Sequence, residues 1–314
     1  MRIRATVAAV SGALALSALA LPSAAQADGA HGSTDTVAGV ARAAQSASAT
    51  QAGAKTGARS TAAAAASEPG ELDLTFSKFT VNGGKPIVVG TTLTKTVPTT
   101  FTVTHAADVD IFASTVALDV TLYRGSFDSP TNEVFGDKSP VCKAVSATVA
   151  TCKGQIDVWP RIDLLGNADA TKWKASGFAV DFNGEDPADP DVTKIGFALQ
   201  DNLGASSLQR ASQVTVNAAP EPVKKGKTIT VTGKLSRANW DDFAYHGYTV
   251  QPVKLQFLKK GSKTWTTVKT LKTNSLGTLK TTVTASVDGY WRFSFAGTAS
   301  TPATNSTGDF VDVK

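Results

Sequence analysis

Three clusters of side chains have residue types and spacings that could do chemistry. The first is Asp181-Phe182-Asn183-Gly184-Glu185-Asp186-Pro187-Ala188-Asp189-Pro190-Asp191. Calcium takes several oxygen ligands, and Asp181, Asn183 and Glu185 alternate as the early ligands of a calcium loop do, with Asp186 next in line. The pattern then departs from such a loop. Position six is Asp186 rather than Gly, and position twelve is Val192 rather than Glu. An acidic, proline-kinked surface loop is the preferred reading, with calcium held by Asp181, Asn183, Glu185 and Asp186 as the alternative. The second cluster is Trp240-Asp241-Asp242-Phe243-Ala244-Tyr245-His246-Gly247-Tyr248. Here Trp240 and Tyr245 could stack on sugar faces while Asp241, Asp242 and His246 bond hydroxyls. The preferred reading is a loop that folds back and caps its own core with Trp240 and Tyr248. The third is the pair Cys142 and Cys152, whose flanks form a hairpin pattern. A redox pair or half a metal site would need a tighter C-x-x-C spacing, so one structural disulfide is expected.

The other chemistry that a chain of this size could carry finds little material. There is no G-x-S-x-G elbow and no S-x-x-K for nucleophilic hydrolysis. The three histidines are His31, His105 and His246, and none lies in an H-E-x-x-H zinc pattern. His105 closes an alternating run and reads as a strand-end residue. Gly226-Lys227-Thr228 mimics the end of a phosphate loop, but Glu221 stands where the first Gly belongs and a strand follows. A carboxylate pair for glycoside hydrolysis needs little sequence signature and stays open as an alternative.

The elements that must position these clusters are strands. In the second half Ile229 and Val231 share one face, as do Val253, Leu255 and Phe257, and again Trp291, Phe293 and Phe295. Turns fall at Lys260-Gly261, Leu276-Gly277 and Asp288-Gly289. Seven strands are expected there: 213–217, 227–235, 250–258, 264–271, 278–285, 289–296 and 309–313. About seven short strands per 100 residues, with no amphipathic helix pattern, predict an immunoglobulin-like sandwich. The first half offers strands at 72–81, 101–105 and 116–123, the cysteine hairpin, 173–182 and 194–199, with long loops at 124–140 and 183–192. Trp173 and Trp291 are expected to fill the two cores.

One short pattern occurs twice. Thr80-Val81-Asn82 is followed by Pro86 and Gly90, and Thr215-Val216-Asn217 by Pro222 and Gly226. It predicts a duplicated β-domain, 70–212 and 213–314. The two copies differ in charge, net −5 over 69–212 and net +8 over 213–314, which together with +2 from the N-terminal segment gives the overall +5. The lysines of the basic half are spread over several strands. They read as edge protection against sheet pairing rather than as a nucleic-acid surface.

Residues 1–27 read as a secretory leader. Arg2 and Arg4 precede the apolar run Ala5–Leu21, and Ala25-Gln26-Ala27 supplies the cleavage pattern. The run is short for a membrane span. Residues 28–69 are rich in Ala, Ser, Thr and Gly and offer too little apolar bulk to offset chain entropy, so a disordered tether is expected.

A resemblance adds to this. Pro222–Leu235, Val253-Lys254-Leu255-Gln256-Phe257 and Ala285–Phe293 resemble repeats in secreted actinobacterial proteins with bacterial immunoglobulin-like modules. With the leader and Asn82-Gly83-Gly84-Lys85-Pro86, the whole chain is similar to a group of exported proteins of unknown function, some loosely labelled calcium-binding. The resemblance implies fold and address and carries over no catalytic residue.

The expectation is therefore an all-β protein: two immunoglobulin-like β-sandwiches in tandem behind a signal peptide and a disordered tether. Its expected role is secreted, non-enzymatic binding, adhesion or structure in the extracellular space. The partner would be a cell-wall polymer, a polysaccharide or another extracellular protein, and no cofactor is expected unless calcium binds. The alternatives are a calcium-binding extracellular module and a secreted carbohydrate-active hydrolase.

Overall fold

In the computed structural model, residues 34–54 and 70–314 are described; the expected leader, and the tether apart from 34–54, lie outside them. Strands dominate. The first nine are β1 (Leu74–Val81), β2 (Ile87–Val89), β3 (Lys95–His105), β4 (Val116–Gly125), β5 (Pro130–Val134), β6 (Val141–Ser146), β7 (Val149–Val158), β8 (Lys172–Asp181) and β9 (Gly196–Arg210). They form one sheet in the order β1-β3-β7-β6 and a second in the order β2-β9-β8-β4-β5. This is the immunoglobulin arrangement, strands A, B, E and D on one sheet and C, F and G on the other, with an added C′ strand.

The two sheets pack face to face. Phe76, Phe101 and Val103 from one meet Leu118, Val120, Ala179 and Ala198 from the other. Gly177 permits the approach: a Cβ there would lie 2.6 Å from the Phe76 ring. Each large side chain so buried contributes about 1.5–3 kcal/mol. Trp173 is fully buried in an adjoining part of this core and donates its indole N–H to the Asp169 carbonyl at 2.8 Å.

The remaining strands are β10 (Ser212–Val214), β11 (Asn217–Ala219), β12 (Thr228–Asn239), β13 (Ala244–Gly247), β14 (Pro252–Lys259), β15 (Thr266–Lys272), β16 (Thr278–Thr284), β17 (Gly289–Phe295), β18 (Thr304–Asn305) and β19 (Asp309–Val311). β11 and β16 flank the first half of β12. β15-β14-β17 form the facing sheet, with β19 on β17. Ile229, Val231 and Leu279 pack there against Leu255, Trp291, Phe293 and Phe295. Six of the seven expected strands of this half appear as single strands, and the expected 213–217 strand is broken into β10 and β11. β2, β5, β13 and β18 lie outside the expected strands; each is five residues or shorter and lacks a full alternating pattern.

The duplicated pattern has a structural meaning. The residue after each repeated proline pairs in parallel near the C-terminal end of its own sandwich, Ile87 with Leu208 on β9 and Val223 with Val313 in a single bridge just past β19. Proline has no N–H to give to the strand it leaves, so it suits the point where the chain crosses from one sheet to the other.

One expectation is corrected. Within the stretch read as a disordered tether, Thr34–Ala54 forms helix α1. Ala38, Ala41 and Ala44 recur every three residues, are buried, and pack on Phe135, Phe178, Val180, Phe182 and Phe197. Arg42 is held by Glu133, with Nη1–Oε2 at 2.7 Å and Nη2–Oε1 at 2.5 Å. Composition suggested too little apolar surface. Alanine is nevertheless the best helix former, and the apolar bulk comes from the sheet rather than from the helix. No helix among the described residues is long and apolar enough to cross a membrane.

Candidate functional site

The aromatic loop belongs to a joint. β12 is long enough to serve two neighbours. Its second half leaves the core of its own sandwich, pairs with β10 and β13, and carries Ala238 and Trp240 into the core of the first sandwich beside Val89, Leu165 and Leu208. Trp240 is 0% exposed and its indole N–H donates to the Gly90 carbonyl at 2.8 Å. Tyr245 packs on the same cluster. The expected sugar-stacking role of Trp240 is thus corrected, because its indole is closed off from any ligand. The β12–β13 hairpin inserts the Trp240 ring into the neighbouring core, where no sugar face can reach it, while Tyr245 stays partly exposed at the edge of that cluster. Trp240 caps a core as a folded-back loop would, but it completes the neighbouring core and not its own. Tyr248 does pack on its own core, edge-on to Phe295 at 5.7 Å.

Asp241, Asp242 and His246 sit around this hairpin. Asn167 donates to Asp241 from its backbone N–H at 2.8 Å and from its side chain. The Asn167 amide also donates to Asn239 and its carbonyl accepts from Arg210 and from the Trp240 N–H. Asn167 therefore clasps the two sandwiches. Asp242 and His246 pair at 2.6 Å on the exposed side, and Asp242 also accepts from the Ala244 N–H.

The acidic loop spends its oxygens on itself. Asp181 accepts from the Asn183 N–H, Asp186 from the Ala188 N–H, and Asp191 from Thr193. The Asn183 side chain donates to the Lys194 carbonyl. The Lys194 ammonium lies 3.4 Å from Glu185 and 3.2 Å from Asp191, so the loop carries its own cation. Bonds from Thr193 and Lys194 draw the Asp191 pKa down to about 2. No three His, Cys, Asp or Glu side chains among the described residues converge as a metal-binding group. Cys142 and Cys152 stand opposite each other on β6 and β7 and form the expected disulfide, with Cα atoms 4.0 Å apart. His105 ends β3 as expected, its Nδ1 2.9 Å from the Ala106 carbonyl.

Two cavities accompany these features. One of about 750 Å³ opens beside α1 and is lined by Val37, Phe112, Phe178, Phe182 and Pro187. The other, of about 240 Å³, lies at the joint between Asn167, Arg210, Arg237, Asn239 and His246. Sequence reasoning missed Asn167, Arg210 and Arg237. For Arg237 a signal existed, because the basic half has only two arginines, Arg237 and Arg292, among its lysines. Both stack on aromatic rings, Arg237 on Tyr248 at 3.8 Å and Arg292 on Trp265 at 4.1 Å, which a planar guanidinium does better than an ammonium.

No family model matches the chain, and no curated protein matches it. Among solved structures it is similar to the adhesin InvE of Yersinia pseudotuberculosis, at 11% identity over 76% of this chain and 58% of that one, with a TM-score of 0.23. It is similar to the D00-D0 domain of intimin, at 15% identity over 76% and 99% of the two chains and a TM-score of 0.24. It is also similar to the titin I-band fragment I67-I69, at 12% identity over 75% and 65% and a TM-score of 0.29. The chain thus spans less than two thirds of the InvE and titin chains it matches. Likeness at this level adds nothing to what the strand order says about the fold.

Proposed function

We propose that this chain is an extracellular, non-enzymatic binding or adhesion protein whose two sandwiches act as one stiff presenting unit. The observation that supports this is the joint. Neighbouring domains move freely unless their interface is large and apolar. Here Ala238, Trp240 and Tyr245 of the second sandwich share a core with Val89, Leu165 and Leu208 of the first, and Asn167 locks the rim. A stiff pair loses less freedom on binding and so keeps more of its contact energy as affinity. The leader pattern of residues 1–27 and the Cys142–Cys152 disulfide fit an oxidising, exported setting. The side chains with most chemical promise are committed to structure: Trp240 to a core, Asp241 to Asn167, and the acidic loop to its own amides and Lys194.

The test uses the full mature chain on beads, presented to insoluble cell-wall polymer, to polysaccharide gels and to immobilised extracellular proteins, with calcium and with chelator. Retention on one of these classes, unchanged by chelator, is the expected result. Retention that needs calcium would assign the acidic loop instead. Turnover of glycoside or ester substrates by the same preparation, lost on replacing a carboxylate, would overturn the reading.

A further inference from the structure

The joint cavity of about 240 Å³ is lined by two arginines, one from each sandwich, Arg210 and Arg237. Arg210 ends β9 and is 7% exposed. One of its terminal nitrogens donates to Asn167, and its Nε–H has no partner. Arg237 is half-buried on β12. It donates to the Thr301 hydroxyl at 3.3 Å and sits over the Tyr248 ring, its guanidinium carbon 3.8 Å from the centroid. Among the described residues neither arginine forms an ion pair. The Asp241 carboxylate, which acts on Arg210 through space, already accepts two bonds from Asn167. Burial and the neighbouring charge of Arg237 hold the Arg210 pKa down to about 10, and burial lowers that of Arg237.

Two like charges withdrawn from water beside one another are costly unless a counter-charge joins them. The guanidinium fork matches the spacing of oxygens on an oxyanion, and Asn239 and His246 complete a polar rim. We propose that this cavity binds a tetrahedral oxyanion, sulfate or phosphate, free or as the ester group of a saccharide. The anion bridges Arg210 of the first sandwich to Arg237 of the second and so tightens the joint. This site stands apart from the adhesive reading above, which does not depend on any anion.

The experiment titrates the full mature chain at pH 7 with sodium sulfate and with sodium phosphate. Ionic strength is held constant with sodium chloride, and binding is followed by calorimetry and by thermal melting. The expected result is saturable binding and a melting temperature that climbs with the logarithm of anion concentration, as for any ligand that binds only the folded chain. Arg237→Gln should weaken binding at least tenfold. Should that variant fail to give a folded circular dichroism spectrum, Arg237→Lys, which keeps the charge and loses the fork, should still weaken it severalfold. A sugar sulfate and a sugar phosphate run alongside identify the source. Tighter binding of the ester assigns a saccharide ligand, and tighter binding of the inorganic ion assigns a free anion. No saturable binding of any of the four overturns the proposal, as does binding unchanged in a folded Arg237 variant.

Discussion

The indole N–H of Trp240 donates to the Gly90 carbonyl at 2.8 Å across 150 residues of chain. Gly90 closes the duplicated Pro-x-x-x-Gly pattern of the first sandwich, and Trp240 directly follows β12 of the other. One hydrogen bond therefore ties the crossover point of one copy to the body of its neighbour.

Replacing Trp240 with Ala should lower the unfolding free energy by about 3–5 kcal/mol, because a fully buried indole leaves a cavity and strands the Gly90 carbonyl. Urea unfolding measures this. A loss below about 1 kcal/mol would place the ring outside the core.

Asn167→Ala removes the clasp on Asn239, Asp241 and Arg210. The expected cost is about 1–3 kcal/mol. Residual dipolar couplings from the two sandwiches, which should fit a single alignment tensor in the wild type, should then need two.

Asp119 is 0% exposed on β4, opposite Phe178 on the face that α1 covers. One carboxyl oxygen accepts from the Val120 N–H and the other has no partner. Burial raises its pKa well above 3.8. The folded chain holds this proton more tightly than the unfolded one. The associated stability is complete below about pH 3.8 and is lost as pH rises through the folded value. Asp119→Asn should therefore melt higher than the wild type at pH 8, by roughly 2–4 °C per kcal/mol recovered, with a smaller difference at pH 4. Equal differences at both pH values would remove Asp119 as the titrating group.

Reducing the Cys142–Cys152 bond frees a loop of ten residues' separation. The chain-entropy account gives a cost of about 3 kcal/mol. The Cys142→Ala, Cys152→Ala double variant should show the same loss and no further loss on adding a reductant.

Ala41→Asp places a charge on the buried face of α1, against Phe178 and Phe197. The helix should leave the sheet and uncover those rings. A rise in fluorescence of an apolar dye, with the β-sheet circular dichroism retained, is the expected outcome; an unchanged dye signal would detach α1 from that face.

How far the chain could be read depends on the range of the forces involved. The first half of β12 and the whole of β17 were legible because alternation is a local property that follows from side chains pointing to opposite faces. The acidic loop was half legible: its self-contained turns follow from Asp and Asn types, but the Lys194 ion pairs with Glu185 and Asp191 depend on how the loop folds back on itself. Short strands such as β2 and β13 were not legible, since three or four residues carry too little pattern.

The sequence by itself determined the all-β class, the tandem of two sandwiches, the cysteine hairpin and the packing role of Trp173 and Trp291. Each rests on residue type and near-neighbour spacing. Only the tertiary structure decided that Trp240 serves the other sandwich, that α1 packs on the aromatic face of β8 and β9, and that Arg210 and Arg237 share one cavity. Those pairings join residues far apart in the chain, and burial rewards them only once both sheets are formed and facing each other.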